Sequence, residues 1–233
     1  MTNIAVVVAT YNERDNIRGL MDVILQDPRY HMIVVDDLSP DGTGNIADAV
    51  SARYPGRVTV VHRTGPRGLG RSLTEGLKRA LAGDFELIVQ MDADFSHDPK
   101  YLPGMVAAAA AADLVVGSRY LHGVSVVNWP LRRIILSAFA NRYIRAVTGL
   151  DTHDCTSGYR CWRKESLARI PLDDVISEGY SFLVETLFLA KRLGCRIREV
   201  PIIFVERRLG VSKVSTSVIA ESAMMPWRLR LRP

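Results

Sequence analysis

No apolar run in this 233-residue chain is long enough to cross a bilayer. The longest, Met105 to Ala112, has 8 residues, against the roughly 18 to 20 of a spanning helix, so no transmembrane helix is expected. Met1-Thr2-Asn3 carries no basic region and precedes only a short apolar run, which argues against a signal peptide and predicts the cytosolic side. Cysteine is scarce: Cys155, Cys161 and Cys195 are odd in number and lack paired zinc-ligand spacing, arguing against both a disulfide framework and a structural metal. They read as packed or surface thiols. Lysine is scarce too, 5 residues against 25 arginines; arginine suits bidentate phosphate binding, and such a bias also follows from genome composition. The glycine segment Gly65-Pro66-Arg67-Gly68-Leu69-Gly70 is neither a dinucleotide fingerprint nor a P-loop. Close backbone packing, a mobile loop and a phosphate contact all remain open for it.

What is present describes a globular chain, 48% hydrophobic and 24% charged, long enough for one domain, with or without an appendage, and a substantial core. A net charge of +5 suits an anionic partner such as a nucleotide, a phospholipid head group or nucleic acid.

Hydrophobic periodicity alternates along the first half. Ile4 to Ala9 is a continuous apolar run, the signature of a strand buried on both faces. Ile17, Leu20, Met21, Ile24 and Leu25 then recur at helical spacing, so Asn12 or Glu13 begins a helix. Met32 to Val35 and Val58 to Val61 are further strands, followed by helices carrying Ile46, Ala49 and Val50, and Leu73, Leu77 and Leu81. Leu87 to Val89 opens a fourth strand, a helix runs from Pro99 through the alanine run, and Leu114 to Gly117 is a fifth strand. The resulting β-α alternation predicts an α/β fold, a mostly parallel sheet covered by helices on both faces.

Polar residues gather at the ends of these strands: Tyr11 and Glu13, Asp36 and Asp37, Arg63, Asp92 and Asp94, and Arg119. In open α/β sheets ligands bind beyond the carboxyl ends of the strands. In Gln90-Met91-Asp92-Ala93-Asp94-Phe95-Ser96-His97-Asp98-Pro99, two carboxylates one residue apart repel unless a cation or donor intervenes, which suits a divalent metal with a phosphate ligand. A helix cap or solvated acids explain an isolated Asp-x-Asp equally well.

Beyond Arg119 the alternation stops. Trp129-Pro130 introduces residues 131–145, with four arginines and no acid. Leu131, Ile134, Ile135, Ala138, Tyr143 and Ile144 suggest an amphipathic, partly irregular helix. Such a helix either lies in a membrane interface, arginines near lipid phosphates, or packs on the domain. Thr156 to Arg160 reads as a turn into a short strand near Trp162, and Tyr180 to Leu193 as a helix. Ile197 to Val205 is an extended segment whose Pro201 places it at a sheet edge. The basic segment Glu206 to Lys213 follows. The tail from Trp227 alternates apolar residues with arginines and either touches lipid or stays disordered.

Several of these segments together carry a resemblance: Thr10-Tyr11-Asn12-Glu13, Val34-Val35-Asp36-Asp37-Leu38-Ser39-Pro40-Asp41, Met91 to Pro99, Gly117-Ser118-Arg119-Tyr120, Asn128-Trp129-Pro130 and Arg207 to Lys213. In this order, over residues 4 to about 215, the chain resembles the family 2 glycosyltransferases of GT-A fold, and among them the dolichol- or polyprenol-phosphate mannose synthases. The first two segments are common to many sugar transferases; Asp92 to Pro99 together with Asn128-Trp129-Pro130 and the Gly210 to Lys213 part of the last segment is specific to the polyprenyl-phosphate branch. The resemblance implies a catalytic domain over residues 1–215, including an amphipathic membrane-interface region at 128–149, and a basic tail at 216–233. It implies inverting transfer of mannose from GDP-mannose to a polyprenyl or dolichyl phosphate. Ala9, Tyr11, Glu13 and Asp37 would belong to the nucleotide-sugar site, with Val35 near the base. Asp92, Ala93 and Asp94 would hold the diphosphate and Mg2+ or Mn2+, with Ser96 as a further metal-site residue. Arg119, Arg133 and Ser137 would receive the acceptor phosphate, and Arg207 with Lys213 would close on the donor. The catalytic set implied is Asp94, Arg119, Arg207 and Lys213. The family usually has proline where Ala9 stands, and some members have a metal-binding glutamine where Ser96 stands.

A phosphate monoester is already an anionic nucleophile near neutral pH, its second pKa being about 6, so no Ser-His-Asp arrangement is required. His97 and His153 are the remaining acid/base candidates, with capping and packing as their other explanation. The implied partners are the donor, the lipid phosphate, an anionic membrane surface at the cytosolic face and a membrane-anchoring subunit in some relatives. A UDP-sugar donor with another hexose is the nearest alternative, and a non-catalytic nucleotide-sugar-binding subunit the next. A nucleic-acid partner is not expected, because no recognition motif is present.

Overall fold

The computed structural model describes residues 2–175, 177, 179–206 and 216–231. Nine strands and eight helices are seen among them, together with two short 3-10 turns. The strands β1 (Ile4–Thr10), β2 (Tyr30–Asp36), β3 (Val58–His62), β4 (Leu87–Asp92) and β5 (Leu114–Ser118) alternate with helices α1 (Arg14–Ile24), α2 (Thr43–Ser51), α3 (Leu69–Ala82) and α4 (Leu102–Ala108). A small strand β6 (Val126–Val127) precedes the long helix α5 (Leu131–Thr148). Then come β7 (Arg160–Arg163), α6 (Lys164–Leu167), α7 (Gly179–Arg192), β8 (Ile197–Pro201), β9 (Phe204–Val205) and α8 (Thr216–Leu231).

Seven strands form one sheet in the order β3-β2-β1-β4-β7-β5-β8. All pairs are parallel except those of β7, which runs antiparallel to β4 and β5. As the Pro201 argument predicts, β8 lies at the sheet edge. The strand β6 pairs with β9 in a separate two-stranded ribbon, which brings residue 127 beside residue 205.

Alternation within β1 shows how the core is divided. Ile4, Val6 and Val8 face one side, packing with Ile17 and Leu20 of α1, Val50 of α2 and Met105 of α4. Ala5 and Val7 face the other, with Leu73 and Leu77 of α3 and Leu183 and Leu187 of α7. Both sheet faces are therefore covered, and the strands read as uninterrupted apolar runs for that reason. Helix α3 lies so close to the sheet that a Cβ on Gly76 would stand 2.5 Å from Val7 Cγ1 and 2.9 Å from Val35 Cγ2. Glycine is what permits that approach.

Three segments depart from the sequence expectations. Helix α4 ends at Ala108 instead of running through the alanines, although alanine is the best helix former. Tertiary bonds allow the stop: the Arg163 guanidinium donates to the carbonyls of Ala110 and Ala112, each at 3.1 Å. Helix α5 is one regular 18-residue helix, not a partly irregular one. Nor are its apolar residues gathered on a single buried face: Ile144 and Val147 are buried while Leu131, Ile135, Leu136 and Phe139 are exposed. The tail is helical from Thr216 to Leu231, with Met225 and Leu229 buried in the cluster that holds Ile144 and Phe182. The three cysteines are all buried free thiols.

Strand order reverses around β1, whose neighbours are β2 and β4. That switch point, at the carboxyl ends of β1 and β4, is the place where parallel α/β sheets bind ligands. Ala9 is in register with Asp92, so the Tyr11 and Asp92 segments leave the sheet side by side.

A candidate nucleotide-sugar site at the strand ends

A cleft of about 470 Å3 opens over these strand ends. It is lined by Ala9, Tyr11, Glu13, Asp37, Asp92, Ala93, Asp94, Ser96, Arg119 and Arg133 among the residues singled out in the sequence. Val35 and Ser137 are not among its walls. Val35 is fully buried beneath α3, because the strand pleat turns it into the core, whereas Asp37, just beyond the end of β2, lines the cleft. Ser137 is half-buried on α5, where its Oγ accepts the Tyr120 hydroxyl at 2.7 Å. Arg207 and Lys213 lie outside the described residues.

The loops that form the cleft adopt uncommon backbone. Asn12, Leu38 and Phe95, after β1, β2 and β4, all have φ near +60° (58°, 59° and 62°). For Leu and Phe that left-handed conformation costs roughly 1–2 kcal/mol each, which the surrounding contacts must offset. Phe95 packs onto α1, its Cζ 3.5 Å from where a Cβ on Gly19 would be. The turn it makes returns Ser96 onto Asp94: Asp94 Oδ1 accepts from the Ser96 amide at 3.1 Å and from Ser96 Oγ at 2.6 Å. Asp94 is buried, whereas the Asp92 side chain is 47% exposed.

His97 is buried and stacks on Tyr159 with ring centroids 5.0 Å apart. Its Nδ1 lies 3.0 Å from the Asp92 amide and 3.6 Å from Asp92 Oδ2. In the shorter contact Nδ1 accepts the Asp92 amide N–H, so the ring braces the loop. His153 is outside the cleft lining; its Nδ1 lies 2.7 Å from Glu199 Oε2.

Asp37 is fixed by groups far away in sequence. Its Oδ1 accepts from Arg63 Nη1, and its Oδ2 from the Gly68 amide at 2.8 Å. Arg63 also donates to Glu75 at 3.0 Å and to the Pro66 carbonyl at 3.1 Å. The glycine segment is thus tied down onto β2 and β3, the packing role among those open for it. Arg67 from the same loop lies with its guanidinium 4.8 Å from the Tyr11 ring centroid and donates to the Tyr11 hydroxyl.

The cationic part of the cleft is built around Arg119. Nε and Nη2 grip the two oxygens of Asp154, each at 2.7 Å, and the Arg119 amide donates to the same carboxylate at 3.0 Å. Nη2 also donates to Thr156 Oγ1 at 2.8 Å, while Nη1 has no hydrogen-bond partner among the described residues. Burial opposes the charge of Arg119, but Asp154 outweighs it and holds the guanidinium above its ordinary pKa. Burial likewise opposes ionisation of Asp154, and Arg119 reverses the balance, holding the carboxylate below its ordinary value. The Arg119 guanidinium lies 5.5 Å from the Trp129 ring centroid and 5.4 Å from that of Phe204. Arg133 lies 3.9 Å from the Trp129 centroid and pairs with Glu206. Trp129 therefore contacts both arginines and sets their spacing.

Arg160, fully buried and with no carboxylate partner among the described residues, supports the segment beneath Arg119. It donates to the carbonyls of Ser157 (3.0 Å), Cys155 (3.3 Å) and Leu183 (2.7 Å) and to Thr186 Oγ1 (2.9 Å). Burial lowers its pKa to about 10, so it remains charged at neutral pH.

Asp154, Thr156, Arg67, Phe204 and Glu206 were not assigned to the site by sequence reasoning. Arg119 and Asp154 are 35 positions apart, and Arg133 and Glu206 are 73 apart. No local spacing announces either pair.

Residues 5–170 match the model of glycosyl transferase family 2. The chain belongs to that family. It is 44% identical over 231 residues to a polyprenol monophosphomannose synthase of Mycolicibacterium smegmatis, covering 97% of this chain and 87% of that protein. It is 43% identical over 222 residues to an undecaprenyl-phosphate mannosyltransferase of Micrococcus luteus, covering 94% and 90% respectively. Among solved structures it is similar to a glucosyl-3-phosphoglycerate synthase of Mycobacterium tuberculosis in complex with UDP. The TM-score is 0.72 at 20% identity, over 100% of this chain and 81% of that one. A complex of that synthase with Mn2+, UDP-glucose and phosphoglyceric acid gives a TM-score of 0.64 at 19% identity, over 98% of this chain and 77% of that one. At that identity the likeness speaks for the fold, and the GT-A architecture implied by the sequence resemblance is the one observed. This family member is a glycosyltransferase.

Proposed function

We propose that this glycosyltransferase moves mannose from GDP-mannose to a polyprenyl phosphate, with inversion at the anomeric carbon. The observation that carries the reading is one cleft holding both Asp92 with Asp94 and Arg119 with Arg133. The two relatives named for mannose transfer to polyprenyl carriers supply the sugar and the lipid.

An oxygen of the acceptor phosphate attacks the anomeric carbon as the bond from that carbon to the diphosphate oxygen breaks. The nucleophile is anionic near neutral pH, so proton removal by a side chain is unnecessary. This agrees with a His97 whose Nδ1 is committed to the Asp92 amide. What the protein supplies is orientation and charge. Nη1 of Arg119 and the guanidinium of Arg133 bind the acceptor phosphate, and Tyr11, Glu13 and Asp37 bind the guanosine. The diphosphate lies against Asp92, Ala93 and Asp94, with Arg207 and Lys213 closing on it.

Two carboxylates and the Ser96 hydroxyl are hard oxygen donors, a set suited to Mg2+ or Mn2+ completed by diphosphate oxygens and water. Asp94 would be the principal ligand, Asp92 and Ser96 supporting it. Bound there, the ion neutralises charge building on the departing GDP.

The acceptor's tail lies in a bilayer, and no helix among the described residues is long and apolar enough to cross a membrane. Peripheral attachment at the cytosolic face through the exposed apolar side chains of α5 is part of this proposal, with a membrane-anchoring subunit as a further aid. The deciding experiment is incubation with GDP-[14C]mannose, Mn2+ and a short polyprenyl phosphate, with UDP-glucose in parallel. Label in the lipid from GDP-mannose, abolished by chelation and reduced at least about a hundredfold by Asp94→Ala, is expected. Transfer from UDP-glucose alone would replace the donor, and GDP binding without any transfer would leave a non-catalytic subunit.

A further inference from the structure

We infer that Glu206 is an internal competitor for the acceptor-phosphate position at Arg133, a carboxylate that the incoming phosphate must displace. This rests on the reading of Arg119 and Arg133 as the acceptor site.

Both arginines already have carboxylate partners, but the two partners differ. Asp154 is fully buried, grips Arg119 through three hydrogen bonds, and has its own amide donating to Glu199 Oε1 at 3.0 Å. It cannot leave without uncovering two buried charges. Glu206 pairs with Arg133 through a single contact among the described residues, Nη1 to Oε2, and the two side chains keep 24% and 28% exposure. Both residues line the cleft. The Glu206 backbone is fixed just beyond β9, its amide donating to the Val127 carbonyl at 3.0 Å. Displacement therefore needs only a side-chain rotation, with the ribbon of β6 and β9 left in place.

The exchange favours the substrate by charge. A phosphate monoester carries nearly two negative charges at pH 7 and can meet Nη1 of Arg119 and Arg133 at once, whereas Glu206 offers one charge to one arginine. Trp129, in contact with both guanidiniums, keeps Arg133 in place when its partner changes. Without phosphate, Glu206 keeps Arg133 paired; with it, the carboxylate becomes a nearby repulsive charge that weakens acceptor binding. Glu206 thus raises the acceptor concentration needed for turnover and disfavours weaker anions, a specificity device.

The test is Glu206→Gln, which keeps size and removes charge, with Glu206→Ala as a second variant. Steady-state transfer is expected to show an acceptor KM about two- to fivefold lower, the range of a partly exposed ion pair, with kcat and the donor KM unchanged. Calorimetric titration with inorganic phosphate is expected to show affinity rising by a similar factor, a readout independent of turnover. An unchanged or raised acceptor KM, unchanged phosphate affinity, or a donor KM falling in step overturns the inference. Arg133→Gln separates the two layers. If it leaves the acceptor KM of the unaltered protein untouched, the acceptor reading of Arg133 is wrong. If it raises that KM while Glu206→Gln does nothing, the reading stands and Glu206 is no competitor.

Discussion

Arg119 and Asp154 show how a charged side chain is aimed from inside a core. A lone buried guanidinium would be expensive to desolvate, and a buried carboxylate equally so; each makes the other tolerable only while the pair is complete. Asp154→Asn keeps shape but removes the compensating charge, and breaking such a pair costs about 3–5 kcal/mol. The expected outcome is a lowered thermal midpoint and, in protein that remains folded at low temperature, a raised acceptor KM. GDP binding is expected to be unchanged; calorimetry and steady-state kinetics on one preparation check both. The pH dependence has a defined sign. Because the folded-state pKa of Asp154 lies below its ordinary value, its stabilisation is complete above the unfolded value near 4 and is lost as pH falls through the folded value. Stability measured between pH 8 and pH 5 is expected to show no loss from this pair.

Elements, unlike such pairs, were mostly legible from the chain. The run Ile4 to Ala9 and the spacing of Ile17, Leu20 and Ile24 report burial directly, since each position's neighbours are set by the period of its own strand or helix. Asp98 and Pro99 announced a helix start, and Asp98 does accept from the Lys100 amide at 2.9 Å. The early end of α4 was hidden because its cause, Arg163, lies on β7, four elements further along the chain. The same holds for Arg119 with Asp154 and Arg133 with Glu206: one partner of each was visible as a polar strand end or basic helix residue, the other only after folding, whereas Asp37 and Arg63 were both visible as strand ends and only their pairing was not. Val35 is turned away from the cleft for a simpler reason, the strand pleat, which separates adjacent residues onto opposite faces. Helix α3 gives a test at this scale. Gly76→Ala puts a methyl group 2.5 Å from Val7 Cγ1, and overpacking of that kind costs roughly 1–3 kcal/mol. For a chain of this size a melting-point drop of about 2–4 °C per kcal/mol follows. Because α3 also carries Ser72 to the cleft, weaker GDP binding in the same variant is expected.

At the scale of the molecule, exposed arginines and exposed apolar side chains occur together on α5 and α8. Helix α5 turns Leu131, Ile135 and Phe139, with exposures of 70%, 60% and 65%, away from the core, and the exposed Arg132 and Arg142 lie on the same helix. The adjoining α8 exposes Met224, Trp227 and Leu231. Apolar side chains in water beside arginines suit the boundary of an anionic bilayer, where burial of the former and attraction of the latter act together. Each exposed Leu, Ile or Phe that enters the acyl region contributes about 1.5–3 kcal/mol, whereas the arginine contribution is screened within a Debye length of about 10 Å at 0.1 M salt. Cosedimentation with vesicles of mixed anionic and neutral lipid is therefore expected at low ionic strength and to weaken, without vanishing, as salt rises. Ile135→Asp with Phe139→Asp is expected to abolish it while leaving the melting point within about 2 °C, since neither side chain packs in the core and surface substitutions usually change stability by about 0.5 kcal/mol or less. Protein that stays in the supernatant with anionic vesicles at low salt would overturn direct docking and leave attachment to a membrane-anchored subunit.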